Sequence, residues 1–340
     1  LNLSKDYKTV NAIPLISVIM PVYNVEAYVG EAIESVIGQS FANWELLIID
    51  DGGSDASMAI CRMFADKRIR IIRQANRGLA GARNTGIAAA QGRYIALLDS
   101  DDRWHPSKLM MHMIHLEADA SIDVSYAGSR MIDAAGRPLK AAMRPRLTGI
   151  TPAHILKRNP IGNGSAAVMR RTSLNRAAFA HPDVPGRTCW FDESFRQSED
   201  IELWLRLSAG HGCRFEGIDG LLTDYRIIAG GLSANIARQY ESWERAIAKT
   251  AKTSPQLIAR HGRQAMAYQL RYLARRAIQL GDGSFAWSLA LQALQAGPAM
   301  VIAEPRKTLT TLAAAFAARL LSPARFQALT AGHLGNGALA

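Results

Sequence analysis

Apolar and polar positions change places in blocks along the first hundred residues, and each block predicts an element. Residues 16–24 (ISVIMPVYN) form a continuous apolar run and read as a buried strand ending at Pro21. Behind it Ala32, Ile33, Val36 and Ile37 recur at helical spacing. Residues 44–51 (WELLIIDD) predict a second strand that ends in acids, followed by a GGSD turn and a short helix over SMAICRMFA. RIRIIR is a third strand, and GLAGARNTGIAAAQG a helix with Gly92 as its C-cap. Residues 94–102 (YIALLDSDD) give a fourth strand that runs straight into three carboxylates. Strands alternating with helices in this way predict a parallel sheet with helices on its faces. The ligand crevice of such a sheet lies beyond the carboxyl ends of its strands. Tyr23, Asp51 and the cluster Asp99, Asp101 and Asp102 all fall there.

After about Ser125 the rhythm loosens. VSYAGSRMIDAAGRP predicts a hairpin, residues 151–158 a short helix, and GNGSAAVMRR a strand. SEDIELWLRLSAG reads as a helix and RFEGIDGLLTDYRI as extended chain. From Ile236 everything reads as helix, including an antiparallel pair around a Gly-Asp-Gly turn. The chain thus divides into a polar extension, 1–14, and three parts, 15–125, 126–235 and 236–340.

Composition narrows the picture. Three scattered cysteines, Cys61, Cys189 and Cys213, with no Cys-x-x-Cys, argue against a disulfide framework or structural zinc and for a reducing compartment. The first residues carry no apolar signal core, and no window reaches the roughly 18 apolar residues of a membrane span, so a cytoplasmic setting is expected. The net charge is +11, and from Ile236 onward thirteen Lys or Arg face four acids. This basic end predicts an anionic partner, whether a membrane surface, nucleic acid or a charged substrate, or else it is a solvated basic surface. The absence of zinc-finger or RNP-type motifs argues against nucleic acid.

The acids of the fourth strand carry the sharpest chemistry. Asp99 and Asp101 are two apart and share one side of an extended chain. Such oxygen ligands suit Mg²⁺ or Mn²⁺ bridging to phosphates, or else they cap the next helix. Asp51 can accept hydrogen bonds from a base or ribose, or simply form the turn before Gly52 and Gly53. Tyr23 offers a flat face for a nucleobase, or packs at the rim. Arg83, in NRGLAGARNTG, offers a planar fork to phosphate oxygens. No Walker A or Rossmann fingerprint is present, which counts against kinase-like and dehydrogenase chemistry. In QSEDIELWLRL, Ser198 is expected to cap a helix, with Glu199 and Asp200 in its first turn and Glu202 paired to Arg206. Asp200 is then either a partner of the helix dipole or a general base. The eight histidines show no metal-binding spacing, and there is no nucleophile elbow.

Taken in order, SVIMPVYN, IIDDGGSD, NRGLAGARNTGIAAAQGRYIALLDSDD, FDE…SEDIELWLRL and DYRI resemble the family 2 glycosyltransferases of the GT-A fold, over residues 16–233. The resemblance implies an α/β fold: a GT-A-type, mostly parallel sheet flanked by helices, with an α-helical C-terminal region. Residues 15–125 would be its nucleotide-sugar-binding half and 126–235 its acceptor-binding half. It implies inverting transfer of a sugar from a nucleotide diphosphate donor, UDP-linked by default, to a hydroxyl of a glycan or lipid-linked acceptor in surface polysaccharide assembly. By position it places Pro21 and Tyr23 in the nucleotide pocket, Asp51 on the base and Arg83 among the donor contacts. Asp99 and Asp101 become the Asp-x-Asp pair serving ribose and metal, with Asp102 sharing the Mn²⁺ or Mg²⁺ cofactor, and Asp200 the catalytic base. Two departures stand out. Gly53 replaces the usual Ser, and Ile228 and Gly231 stand where the family carries His and then Ser. That His commonly helps hold the diphosphate or metal, which makes Arg226 a candidate substitute contact. Its absence also supports a rival reading, a GT-A module that binds a nucleotide sugar or anionic glycan with weak or no turnover. The basic helices of 236–340 are expected against anionic headgroups at the inner face of the membrane.

Overall fold

Strands β1 (Ile16–Val22) and β2 (Trp44–Asp50) are buried over their whole length, which is why they read as largely apolar runs; inside them Ser17 donates to Glu45 (2.7 Å). Alternate residues serve opposite faces. Val18, Met20, Leu46 and Ile48 pack with the helix Val29–Ile37, while Ile19, Leu47 and Ile49 pack with the helix Gly78–Ala89. The computed structural model describes residues 13–228, 236–321 and 325–326. Gly231, one of the two family departures, lies outside the described residues, as does most of the expected N-terminal extension.

The remaining strands are β3 (Ile69–Arg73), β4 (Tyr94–Leu97), β5 (Arg103–Trp104), β6 (Val124–Ile132), β7 (Pro138–Met143), β8 (Ala167–Arg170), β9 (Phe179–Ala180), β10 (Thr188–Cys189) and β11 (Phe215–Arg226). The main sheet runs β3-β2-β1-β4-β8-β6-β11-β5, with β7 on β6, while β9 and β10 form a separate hairpin. The first four strands are parallel, as the alternating pattern predicts. β8 then enters antiparallel between β4 and β6, and β11 runs parallel to β6. The short β5 lies antiparallel on β11, with Trp104 opposite Thr223 and Arg103 opposite Asp224. The acidic turn after β4 is thereby carried across to the end of β11.

Gly92 has a different job from the expected cap. The helix ends at Ala89, and its C-cap is Ala90 in extended geometry (φ −69°, ψ 138°), so no left-handed residue is required. A Cβ on Gly92 would stand 2.6 Å from the Ser17 nitrogen and 2.8 Å from the Ile16 carbonyl carbon. Glycine is needed there because the chain crosses close over β1, where the Gly92 N–H donates to Ser17 Oγ (2.9 Å).

The C-terminal helices dock on the sheet through a shared core. Trp243, on the helix Ile236–Thr253, is buried in one cluster with Trp204 and Phe215. Lys249 of the same helix donates to Asp192 (2.7 Å) and pairs with Glu202 (2.8 Å). The helices Pro255–Gln279 and Gly283–Ala296 form the expected pair, with Asp282 accepting from the Phe285 N–H (2.9 Å) at the turn. The helices Met300–Ala303 and Pro305–Leu320 pack on that pair around Leu270, Leu273, Leu289 and Ala315. No described helix is long and apolar enough to cross a membrane.

Candidate active site

The ends of β1 and β2 meet in two loops that touch. Pro21 is buried in β1 opposite Ile49, and two residues on Tyr23 stands out, 51 % exposed. Asn24 turns the chain with φ 50° and accepts from the Ser54 N–H (2.8 Å). A Cβ at position 53 would fall 2.9 Å from Asn24 Oδ1 and 3.0 Å from the Asn24 nitrogen, so Gly53 suits this close approach. Asp51 is buried at the end of β2. Its carboxylate accepts from Gln74 Nε2 (2.6 Å) and from the N–H groups of Arg77 (2.9 Å) and Gly78 (3.0 Å), the entry to the helix Gly78–Ala89.

The carboxylates crowded after β4 have three different fates. Asp99 pairs with Arg83, Oδ1 to Nη2 at 2.7 Å. Asp102 is buried, with Ser165 Oγ donating to one oxygen (2.6 Å) and the Arg226 N–H to the other (2.9 Å). Burial, then the charges of Asp101 and Asp99, push its pKa well up. Asp101 makes no side-chain hydrogen bond or ion pair among the described residues. Burial and the Asp99 charge push its pKa up to about 6. An ionisable oxygen ligand held beside like charge and left without an ion pair fits a hard divalent ion such as Mg²⁺ or Mn²⁺.

Two arginines brace this turn. Arg83 is 1 % exposed and bridges Asp99 to Glu199 (Nη1 to Oε1, 2.7 Å). Burial alone would depress its pKa, but Asp99 and Glu199 hold it above the ordinary value. The side chain of Arg226 is 0 % exposed. It donates to the Asp101 carbonyl (2.7 Å), the Ala134 carbonyl (3.0 Å) and Glu31 Oε2 (2.8 Å). A diphosphate contact by Arg226 would require it to leave these partners.

Asp200 comes from a distant stretch of chain and reaches the same place through Arg83. It lies in the first turn of the helix Glu199–Leu205. Ser198 precedes that helix but does not cap it as expected. Its backbone is left-handed (φ 58°), whereas a capping side chain needs extended geometry, and no cap hydrogen bond forms. The helix is held instead by the expected Glu202–Arg206 pair (2.9 Å), with Arg206 also donating to the carbonyls of Ala177 and Trp190. Asp200 Oδ2 accepts from Asn159 Nδ2 (3.1 Å) and Oδ1 from the Ile201 N–H (2.8 Å), with no ion pair among the described residues. Burial, then the Glu199 charge, push its pKa up to about 7. That is a suitable value for a base working near neutral pH.

The model of the family described as glycosyl transferase family 2 matches residues 17–177. The putative teichuronic acid biosynthesis glycosyltransferase TuaG of Bacillus subtilis is 32% identical over 226 residues, which are 65% of this chain and 82% of that protein. The chain belongs to glycosyl transferase family 2. A second relative of this transferase is the UDP-Glc:alpha-D-GlcNAc-diphosphoundecaprenol beta-1,3-glucosyltransferase WfgD of Escherichia coli, 33% identical over 222 residues, 65% of this chain and 80% of WfgD. Among solved structures, S. aureus TarS 1-349 in complex with UDP superposes with a TM-score of 0.57 at 19% identity, covering 94% of this chain and 91% of TarS 1-349. The mannosyltransferase PcManGT from Pyrobaculum calidifontis, in complex with GDP-Man and Mn2+, superposes with a TM-score of 0.57 at 18% identity, covering 94% and 90%. These likenesses give the transferase the GT-A fold.

Several residues of the transferase site escaped the sequence pattern. Ser165 links the acids, accepting from the Asp99 N–H (3.0 Å) while donating to Asp102. Asn84 accepts from the N–H groups of Trp190 (2.9 Å) and Phe191 (2.8 Å) and donates to Glu193 (3.0 Å). It thereby fixes the FDE segment to the glycine-rich helix. Glu199 was visible only as a neighbour of Asp200. Lys108, buried beyond Asp102, donates to the Ala166 carbonyl (3.0 Å), and burial pulls its pKa down to about 7. The structure also gathers His181, Cys189 and Glu193, whose ligand atoms lie within 4.8 Å of one another although their spacing along the chain matches no metal motif. The Glu193 carboxylate is already bound by Arg77 and Asn84.

Proposed function

We propose that this transferase moves a sugar, with inversion, from a UDP-linked donor to a hydroxyl of a glycan or lipid-linked acceptor in cell-surface polysaccharide assembly. The observation that carries the reading is that Asp101 and Asp200 are left without an ion pair in a cluster where Arg83 neutralises Asp99 and Glu199. Tyr23 offers its exposed ring to the base, with the buried Pro21 two residues before it, and Asp51 contacts the base from the end of β2. Asp99, held by Arg83, faces the ribose. Asp101 would hold Mn²⁺ or Mg²⁺, backed by Asp102, and the ion would supply neutralising charge to the departing diphosphate. Asp200 takes the proton of the acceptor hydroxyl, which is a poor nucleophile until it is lost. Asn159 and the Ile201 N–H aim its carboxylate. Arg83 ties the donor-side carboxylate to the helix that bears the base, so the two halves of the site are positioned together. Support for UDP comes from the WfgD name and the TarS complex, and for a lipid-linked acceptor from WfgD. The setting proposed is the inner face of the membrane.

The test is release of nucleoside diphosphate from a panel of nucleotide sugars, with and without Mn²⁺. One donor should be turned over slowly by the wild type, and turnover should vanish without metal and in Asp101→Ala. Asp200→Asn should bind that donor and fail to transfer. Tight donor binding without turnover in the wild type would favour the non-catalytic module, the reading that Ile228 in place of His supports.

A further inference from the structure

A group of cations that the transfer chemistry above does not use gathers around Arg158, the residue before the Asn159 that holds Asp200. Arg158 follows the short helix Pro152–Lys157, Arg271 and Arg275 lie one turn apart on the helix Pro255–Gln279, and Lys307 opens the helix Pro305–Leu320. Among the described residues one carboxylate, Glu304, sits with them and accepts from both Arg158 and Arg271. Arg271 also donates to Thr308 Oγ1 (2.7 Å). The Tyr268 ring lies 5.2 Å from the Arg158 guanidinium and 5.0 Å from that of Arg271. Arg275 has no such partner. Its Nε is buried without a hydrogen bond, and it makes no ion pair among the described residues. Burial, then repulsion from Arg271 and Arg158, hold its pKa below the ordinary value. Four positive side chains against one negative leave an unmet charge of three in a partly desolvated place. Like charges gathered in that way are destabilising until an anion joins them.

Position says which anion. Asn159, the residue after Arg158, holds the Asp200 carboxylate. Tyr272, between Arg271 and Arg275, lies near enough to Tyr225 to share its surroundings with Asp102, Asp99 and Asp101. None of the four cations comes from β1–β4, where the donor residues sit. We infer that Arg158, Arg271, Arg275 and Lys307 form a binding site for a phosphate or diphosphate group carried by the acceptor. This rests on Asp200 being the base that receives that acceptor. Guanidinium forks match phosphate oxygens in geometry as well as charge, and Arg275, with its free nitrogens, is the primary ligand. Arg158 and Arg271 share their charge with Glu304 and shape the site.

Calorimetric titration of the full chain with inorganic pyrophosphate, with a chelator present, separates this site from the metal-dependent donor pocket. The wild type and Asp101→Ala should bind pyrophosphate equally without metal. Arg275→Gln should weaken binding about tenfold, the loss of one charge-assisted contact, and Lys307→Gln should weaken it less. Absence of metal-free binding overturns the inference, as does binding that survives both substitutions. Pyrophosphate binding lost in Asp101→Ala would also overturn it, by assigning the anion to the donor pocket. Competition then names the source. Displacement by a sugar on an alkyl diphosphate, and not by the same sugar as a simple alkyl glycoside, supports a lipid-linked diphosphate. Displacement by a glycerol-phosphate oligomer supports a phosphodiester polymer, and displacement by neither overturns the acceptor assignment. A chain that turns over no donor with metal present would sink the transferase reading, while the metal-free titration would still judge the cation cluster.

Discussion

Asp200 ionises late because burial and the Glu199 charge both favour its neutral acid. In the proposed role of general base it works only when ionised. The rate of transfer should therefore fall about tenfold per pH unit below about pH 7 and level off above it. Asp200→Asn should abolish that limb and lower kcat by roughly 10²–10⁴-fold. Stability should move the opposite way. The folded chain holds this proton up to about pH 7, whereas the unfolded chain loses it near about pH 4, so stability declines as pH rises through that window. Asp200→Asn should then melt higher than the wild type at pH 8 and show no advantage at pH 4 in thermal scans. Arg83 is the second key residue. Arg83→Gln leaves Glu199 and Asp99 uncompensated and should cost about 3 kcal/mol in denaturant unfolding. The Arg83 charge also favours ionised Asp200, so its removal should shift the acid limb to higher pH. Arg83→Lys, which keeps the charge and loses the fork, should leave the limb nearly in place.

At the level of elements, the site depends on close contacts made where strands end. The crossing of Gly92 over β1 is one, since the atoms that a Cβ would meet include backbone, which cannot rotate away. Gly92→Ala should lower stability by about 1–3 kcal/mol, seen as a lower denaturant midpoint with an unchanged slope. The helix Glu199–Leu205 makes the same point differently. Its seven residues are too few to persist alone, and its start lacks a capping side chain. Tertiary anchors hold it: Arg206 clamped on Glu202, and Trp204 buried in the core. Asp200, the proposed base, is therefore as well placed as that packing is tight.

For the whole molecule, the C-terminal helices are joined to the sheet by a shared core. Trp243 shares the core with Trp204 and Phe215, and Trp243→Ala should cost about 3–5 kcal/mol and lower the single unfolding transition of the entire chain. Farther out the surface changes character. Leu309, Phe316 and Leu320 recur at intervals of seven and four, so they line one face of the helix Pro305–Leu320, and all three are exposed. Ile302, in the preceding helix, is 86% exposed, and Arg306 and Arg319 are exposed on the helix with the stripe. An apolar stripe with flanking arginines is suited to the interface of an anionic bilayer. Leu309→Ser with Phe316→Ser should reduce co-sedimentation with vesicles containing anionic lipid while leaving donor hydrolysis in solution intact. Equal sedimentation of the variant and wild type would remove this face as the membrane contact.

The sequence by itself determined the layered α/β body, because fully buried parallel strands must be largely apolar runs and their covering helices must repeat every three to four residues. It also determined which acids are candidates, because Asp51, Asp99, Asp101, Asp102 and Asp200 each sit where an element begins or ends. What each acid does depended on tertiary structure alone. Asp99 and Asp101 are two residues apart, yet one is neutralised by Arg83 and the other is left open, a difference set by a helix some sixteen residues upstream. Asp102 is drawn inward by Ser165 and by the end of β11, 63 and 124 residues away in the chain. Local pattern records the period of one element. Charge balance is a sum over every element that converges on a point, and only the folded chain fixes which elements those are.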